Sequence, residues 1–233
     1  SDLAIPVPGK GDVLVRVGAA GVNNTDINTR TGWYSKGDSE AADAAWTGTP
    51  LAFPRIQGAD VCGRIVAVGD DVDPSRIGER ILIEPCLREA NGTVLQAPWY
   101  NGSECDGGLA QFTQVASRHA HSVDSDLTDI ELASFPCSYS TAENMLTRAG
   151  VTAGETVLVT GASGGVGSAA VKLAHARGAT VIAVTSAPKA RRLMELGAAQ
   201  TIDRDADLVS VLGAGCVDVV VDLVGGPTWP ALL

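Results

Sequence analysis

The chain has 233 residues with 27 acidic against 17 basic side chains, a formal net charge of −10, and is 45% hydrophobic. That apolar content supports a core in one large or two smaller domains, and the acidic balance argues against nucleic acid or an anionic membrane surface as partner. No apolar run is long enough to span a bilayer, Ser1 opens no signal-peptide pattern, and the five cysteines (Cys62, Cys86, Cys105, Cys137, Cys216) are odd in number and lack a C-x-x-C, which suits a reducing cytoplasm.

Residues 1–126 read as β-rich and turn-rich. Residues 13–17 (VLVRV) form a strand after the turn Pro8-Gly9-Lys10-Gly11, and residues 18–26 (GAAGVNNTD) leave it as a loop entering a short helix. Residues 31–54 are polar, contain tryptophan and show no period, which predicts a surface excursion. Strands follow at 61–68 (VCGRIVAV) and 80–84 (RILIE), separated by a turn at Gly69-Asp70-Asp71. A long irregular loop then leads to Gly107-Gly108 and a strand at 109–115. His119 and His121 would share a strand face at a solvated edge. Short strands separated by glycine turns predict a small barrel-like domain.

From Leu127 the pattern turns helical, with Ala142, Met145, Leu146 and Ala149 at i, i+3, i+4, i+7 before Gly150. Residues 155–189 read as strand, glycine turn, helix, strand. A β-branched run at 156–160 meets the turn Gly161-Ala162-Ser163-Gly164-Gly165-Val166-Gly167, a helix spans 166–177, and a second strand spans 180–185. This is a βαβ unit with an A-x-G-x-x-G fingerprint, where a dinucleotide pyrophosphate would approach backbone N–H groups. A Cβ at Gly164 would block that approach, and one at Gly167 would push the helix off the strand.

An NAD site expects a carboxylate about 20 residues after the glycines, bonding the ribose 2′-OH. Here none occurs before Glu195, whereas Ser186, Lys189 and Arg191 or Arg192 can meet a 2′-phosphate. NADP(H) is therefore expected over NAD(H). A second helix carries Leu193, Met194 and Leu196 and ends at Gly197. A short strand lies near 200–203, and a fourth at 217–224 (VDVVVDLV) serves as core strand and cofactor wall.

The order of motifs resembles the medium-chain dehydrogenase/reductase superfamily, a GroES-like barrel domain followed by a Rossmann doubly wound parallel sheet. The resemblance rests on GAAGVNNTDINTRTG (18–32), IQGADVCGRIVAVGDDV (56–72), IGERILIEP (77–85), DGGLAQFTQV (106–115), FPCSYSTAENML (135–146) and the nucleotide stretch. It implies an α/β protein with a catalytic domain at 1–126 and an NADP(H)-binding domain at 127–233. Cofactor contacts are expected from Thr141, Ala162, Ser163, Gly164, Gly165, Val166, Gly167, Ser186, Lys189, Arg191 and Val224.

Zinc-containing relatives hold a catalytic zinc with Cys, His and a later Cys or Asp. The matching positions here are Asn23, Ala59 and Cys137, and the four-cysteine lobe of the structural zinc is absent. No zinc is expected at either site, and Cys137 reads as a small buried hydrophobe. The resemblance then points to the zinc-free quinone oxidoreductase and enoyl-reductase branch, in which NADPH reduces a quinone or an α,β-unsaturated carbonyl and hydrogen-bond donors hold the carbonyl oxygen. The candidate catalytic residues are Asn23 and Thr25, on the loop that faces the nicotinamide in the family, and Tyr34, as phenolic donor or lid contact. Asp26 and Asp60 read as structural.

The chain starts without Met and stops just after the fourth strand, so a fragment of a longer protein is expected. The 217–224 run, nearly all apolar, should be covered on both faces and edges. A homo-oligomer, dimer or tetramer, is expected from the family. Two alternatives stay open: an alcohol dehydrogenase-like enzyme with a degenerate zinc site, and a non-catalytic NADPH-binding fragment.

Overall fold

The computed structural model describes residues 3–35, 45–47, 51–227 and 229–232. The chain divides into two compact units, Ser1–Cys137 and Ser138–Leu233. Of the expected excursion at 31–54, residues 36–44 and 48–50 lie outside the described residues.

In the first unit, β1 (Asp12–Gly21) is followed by helix α1 (Asn24–Arg30) and then by β2 (Asp60–Val68) and β3 (Arg80–Ile83). A hairpin of β4 (Cys86–Ala90) and β5 (Thr93–Tyr100) comes next, then β6 (Phe112–Ala116), β7 (Ala120–Ser122) and helix α2 (Asp129–Leu132). The main sheet is antiparallel with order β6-β1-β2-β3-β7. Two register shifts in β1, between Leu14 and Val15 and between Val17 and Ala19, act as bulges that bend the sheet. Period-two alternation sends Val13, Val15, Val61, Ile65, Ile81 and Ile83 into one buried cluster.

The stretch expected to be an irregular loop after residue 85 is instead the β4–β5 hairpin. Asn91 and Gly92 both have positive φ (51° and 67°), the geometry a right-twisted two-residue hairpin turn requires. The signal was present as Asn-Gly but lay between strands whose apolar residues do not alternate, with Val94 exposed. The strand expected at 109–115 begins only at Phe112. Gly107, Gly108 and Leu109 instead bond through their N–H groups to the carbonyls of Ile56, Gly58 and Gln57.

His119 corrects the edge reading. It lies in a 3-10 turn (Ser117–His119) and is 2% exposed. Its Nε2 accepts from Arg88 N at 3.0 Å. Nδ1 therefore carries the proton and donates to Glu84 Oε2 at 2.9 Å. The neutral ring pins β4 to the end of β3, while His121 stays exposed.

The second unit holds most of α3 (Pro136–Arg148), then β8 (Thr156–Val159), α4 (Gly165–Ala176), β9 (Thr180–Thr185), α5 (Ala187–Glu195), β10 (Gln200–Asp203), α6 (Leu208–Leu212) and β11 (Val219–Val221). Its sheet is parallel with order β10-β9-β8-β11, a Rossmann-type arrangement. Val157, Val159, Val181 and Ala183 face a core shared with α3, α4 and Leu193 of α5. Leu158, Ile182 and Val184 face the opposite side with Ile202, Leu208 and Leu212. The β-branched runs are thus buried on both faces, as expected for parallel strands. Strand order reverses between β8 and β11, and the glycine turn after β8 sits at that switch point.

The fourth strand is shorter than the apolar run 217–224 implied and, among the described residues, pairs with β8 alone. Asp218 Oδ2 accepts from Thr156 N at 2.7 Å before it, and Asp222 accepts from Val224 N and Gly225 N after it. Asp222 captures the backbone donors that follow β11 and turns the chain there, while Asp218 ties the start of β11 to Thr156.

Candidate functional site

In the second unit the chain leaves β8 through Thr160 and Gly161 and enters α4, which has Gly164 as N-cap. The first N–H groups of α4 have no intrahelical acceptor, and the helix dipole adds partial positive charge there, so the turn suits an anion. The glycines do different work. A Cβ on Gly167 would run into Gly161 O and come within 2.7 Å of Ala162 Cα, so Gly167 serves the packing of helix on turn. Gly164 has φ −76° and ψ 175°, which any residue adopts, and a Cβ there would meet nothing nearer than Gly161 O at 3.5 Å. The fold does not demand glycine at 164, whereas a phosphate brought against its backbone would.

A Cβ on Gly165 would meet Ser138 Oγ at 2.8 Å. Ala162 is fully buried in the core of this unit, which explains why a methyl replaces the first glycine. Ser163 is exposed, and Val166 packs half-buried on the core. Thr141 lies half-buried on α3. Val224 is 69% exposed, and its Cγ2 lies 3.2 Å from where a Cβ on Gly161 would stand.

Thr160 and Asp222, which sequence reasoning passed over, position that end of the sheet. The Thr160 hydroxyl bonds Asp222 Oδ1 and accepts from Leu223 N at 3.0 Å, tying the end of β8 to the chain after β11. Burial alone would raise the Asp222 carboxyl, but the hydroxyl of Thr160 and the N–H groups of Val224 and Gly225 outweigh it and hold it below its ordinary value.

At the end of β9, Ser186 is the N-cap of α5. Lys189 is exposed, and Arg191 Nε pairs with Glu195 Oε1 at 3.0 Å as an i,i+4 surface pair, 92% exposed on the arginine side. Such a pair is worth about 0.3–0.5 kcal/mol, too little to keep the guanidinium from an arriving phosphate. Arg204, absent from the sequence reading, donates its backbone N–H to Thr185 O at 3.1 Å and so joins the same strand end.

The first unit brings the other candidates together at the start of α1. Asp26, 8% exposed, accepts from Asn23 N with Oδ2 at 2.8 Å. Its Oδ1 accepts from Gly58 N and Ala59 N at 3.2 and 3.1 Å. Asn101 Nδ2 donates to the carbonyls of Gly58 and Ala59 from the other side, so the 58–59 backbone is clamped between two buried polar side chains. Asp60, 1% exposed, accepts from Asn23 Nδ2 at 2.9 Å and from Cys137 N at 2.7 Å. Asp26 thus takes three backbone N–H groups, whereas Asp60 takes one backbone N–H and one side-chain amide. Burial raises the Asp60 carboxyl to about 6, with Asp26 as a like charge adding to the rise and the bonds from Asn23 and Cys137 opposing it.

Thr25 Oγ1 and Tyr34 OH lie 2.9 Å apart, so two of the three catalytic candidates share one hydrogen bond. One hydroxyl hydrogen is consumed between them, and one remains for a third partner. The third candidate, Asn23, already commits one amide hydrogen to Asp60. Tyr100 stacks on Trp46, with ring centroids 5.2 Å apart, and donates to Cys137 Sγ at 3.2 Å. Burial raises the Tyr100 hydroxyl well above its usual range and keeps it protonated. Cys137 is thus half-buried and hydrogen-bonded rather than a purely apolar filler.

This donor set does not fit zinc. Ala59 offers a fully buried methyl, the Asn23 amide is turned to a carboxylate, and Cys137 is the single thiol of the three positions. Among the described residues no group of three or more His, Cys, Asp or Glu side chains is placed to hold a metal ion. No helix among them is long and apolar enough to cross a membrane.

The Alcohol dehydrogenase GroES-like domain family matches residues 9–125, and the Zinc-binding dehydrogenase family matches residues 165–233. The chain is 28% identical over 231 residues to the human quinone oxidoreductase, covering 96% of this chain and 61% of that protein. It is 32% identical to the 2-methylene-furan-3-one reductase of Solanum lycopersicum, covering 97% of this chain and 53% of the relative. A structure from Sinorhizobium meliloti 1021, assigned provisionally as an alcohol dehydrogenase, superposes with a TM-score of 0.88 at 46% identity, covering 99% of this chain and 66% of that one. The chain therefore spans 53–66% of the length of these proteins.

Proposed function

The chain belongs to the medium-chain dehydrogenase/reductase superfamily, and on that premise we propose that it is a zinc-independent, NADPH-dependent reductase of quinones or α,β-unsaturated carbonyls. The observation that carries this reading is the donor set at Asn23, Ala59 and Cys137, where a hydrogen-bonded amide, a buried methyl and one thiol stand at the positions a zinc site would need.

The nucleotide supplies the hydride when bound. The backbone N–H groups of residues 164–167, at the N-terminus of α4, would hold its pyrophosphate, with Ala162 and Ser163 shaping the turn and Thr141 and Val224 as further contacts. Ser186, Lys189 and Arg191 would meet the 2′-phosphate. Negative charge develops on the substrate oxygen as the hydride arrives, and a hydrogen bond there stabilises it where water is excluded. The Thr25–Tyr34 pair, with its one remaining hydroxyl hydrogen, and the Asn23 amide supply such donors. Most of the acceleration comes from positioning, since hydride transfer asks little of side chains. The working protein is a homo-oligomer, a dimer or tetramer.

The test is NADPH oxidation by the whole protein with a panel of quinones and enones, before and after exhaustive chelation. Turnover unchanged by chelation supports the reading. Turnover lost on chelation and restored by zinc overturns it and favours an alcohol dehydrogenase with unusual ligands. Tight NADPH binding with no turnover on any substrate points to a non-catalytic nucleotide-binding role.

A further inference from the structure

We propose that Asp60 selects which end of the Asn23 side-chain amide faces it, so that one proton on Asp60 turns Asn23 over. Asp60 Oδ1 is taken by the backbone N–H of Cys137 at 2.7 Å, a donor that cannot turn round. A proton entering the carboxyl therefore goes to Oδ2. That oxygen faces Asn23 Nδ2 at 2.9 Å, itself a donor. Two donors cannot bond each other, and with Asp60 1% exposed, water is a poor substitute partner. Turning the Asn23 amide about its last torsion, which is soft, replaces Nδ2–H···Oδ2 by a bond from Asp60 Oδ2–H to the Asn23 carbonyl oxygen and restores the pairing at Asp60. One proton is taken from solvent, and no covalent bond other than O–H forms or breaks.

Asn23 also stands as N-cap of α1, with its side chain toward the Asp26 N–H. Turning gives up that contact and sets Nδ2 beside the Asp26 N–H, a cost that opposes the turn, while the Asp26 N–H keeps the Asn23 backbone carbonyl as acceptor at 3.1 Å. The titratable groups facing Asp60 are Asp26 on α1, Tyr100 on β5 and Cys137 at the start of α3, with Tyr34 beyond Tyr100. Among the described residues no cationic side chain bonds Asp60. Burial and the like charge of Asp26 both favour the protonated carboxyl, and the two hydrogen bonds favour the carboxylate, so the group titrates near 6. Both amide orientations are then populated across the neutral to mildly acidic range. For a carbonyl substrate the consequence, which rests on the function proposed above, is that Asn23 turns its full N–H₂ away from Asp60 only when Asp60 is protonated. The switch itself stands without that reading.

The experiment is an NMR titration of the labelled chain between about pH 4 and pH 8, a window that brackets the raised carboxyl. It follows the Asp60 carboxyl carbon and the Asn23 side-chain amide, with Asp60→Asn alongside. The asparagine keeps an acceptor for Cys137 N and turns a donor toward Asn23, which fixes the turned amide at every pH. The expected result is that both wild-type signals move with one shared midpoint, and that Asn23 in Asp60→Asn is pH-independent at the acid-limit position. An Asp60 titration that leaves the Asn23 amide unmoved overturns the proposal, as does an Asp60 that does not titrate in this range. The wild-type titration decides the matter alone if the variant does not fold.

Discussion

Replacing Gly164 and Gly167 one at a time by alanine separates the part of the glycine turn that serves a ligand from the part that serves the fold. At Gly164 the backbone is already in a region open to all residues, and the new methyl meets nothing closer than 3.5 Å. Alanine is a poorer N-cap than glycine by up to about 1 kcal/mol. Stiffening the unfolded chain returns about 0.4–1 kcal/mol. Gly164→Ala should therefore sit within about 0.5 kcal/mol of the parent. At Gly167 the methyl would press on Gly161 O and lie 2.7 and 2.8 Å from Ala162 Cα and C, all backbone atoms that cannot rotate aside. Overpacking costs about 1–3 kcal/mol, and a better helix propensity returns about 1 kcal/mol. A net loss of up to about 2 kcal/mol follows, or up to roughly 1 M in the urea midpoint. Nucleotide affinity should follow a different order. Gly164→Ala, though stable, should lose about tenfold or more in NADPH affinity, equivalent to roughly 1.4 kcal/mol. Urea unfolding and a fluorescence titration on both variants decide it. A Gly164→Ala protein that binds NADPH as the parent does, or is as unstable as Gly167→Ala, refutes the division of labour.

Other consequences are equally measurable. The Asp60 carboxyl is raised from 3.8 to about 6, so the folded protein binds a proton that the unfolded chain releases, and this group's contribution to stability is full below about pH 4 and lost as pH rises through 6. Asp60→Asn should match the parent near pH 4 and exceed it at pH 7.5 by up to about 3 kcal/mol, and a pH-independent difference in urea unfolding would contradict the burial argument. Removing the 2%-exposed His119 ring leaves Arg88 N–H without its acceptor, so His119→Ala should cost about 2–4 kcal/mol by the same assay, whereas a cost below about 0.5 kcal/mol would return it to a solvated edge. Gly92→Val, forced to φ 67°, should speed amide exchange across β4 and β5 while leaving β8 and β9 protected; unchanged exchange in the hairpin would mean the turn does not define it.

What could be read from the sequence was what local pattern determines. The β8–α4–β9 unit came through within a residue at each end because its strands, turn and helix each carry their own period. Cys86–Tyr100 was misread because the apolar residues of β4 and β5 do not alternate, although Asn91-Gly92 named the turn. The fourth strand was overextended because an apolar run carries no sign that Asp218 and Asp222 will capture backbone donors. The polar cluster of the first unit was least legible. Asn23 and Thr25 were singled out, but Asp60 meets partners 37 and 77 residues away, and no spacing rule reports such pairs. Tyr100 and Asn101 were missed for the same reason, since Tyr100 acts on Trp46 and Cys137 and Asn101 on the 58–59 backbone, all distant in sequence.

The central claim joins a phosphate-binding turn of NADP type to a first unit without a zinc centre. Its most direct test is a fluorescence titration of the purified chain with NADPH and with NADH, with zinc content measured on the same sample. The account predicts that NADPH binds more tightly than NADH and that the protein carries no stoichiometric zinc. Preference for NADH would contradict the roles given to Ser186, Lys189 and Arg191, and one zinc per chain would contradict the reading of Asn23, Ala59 and Cys137.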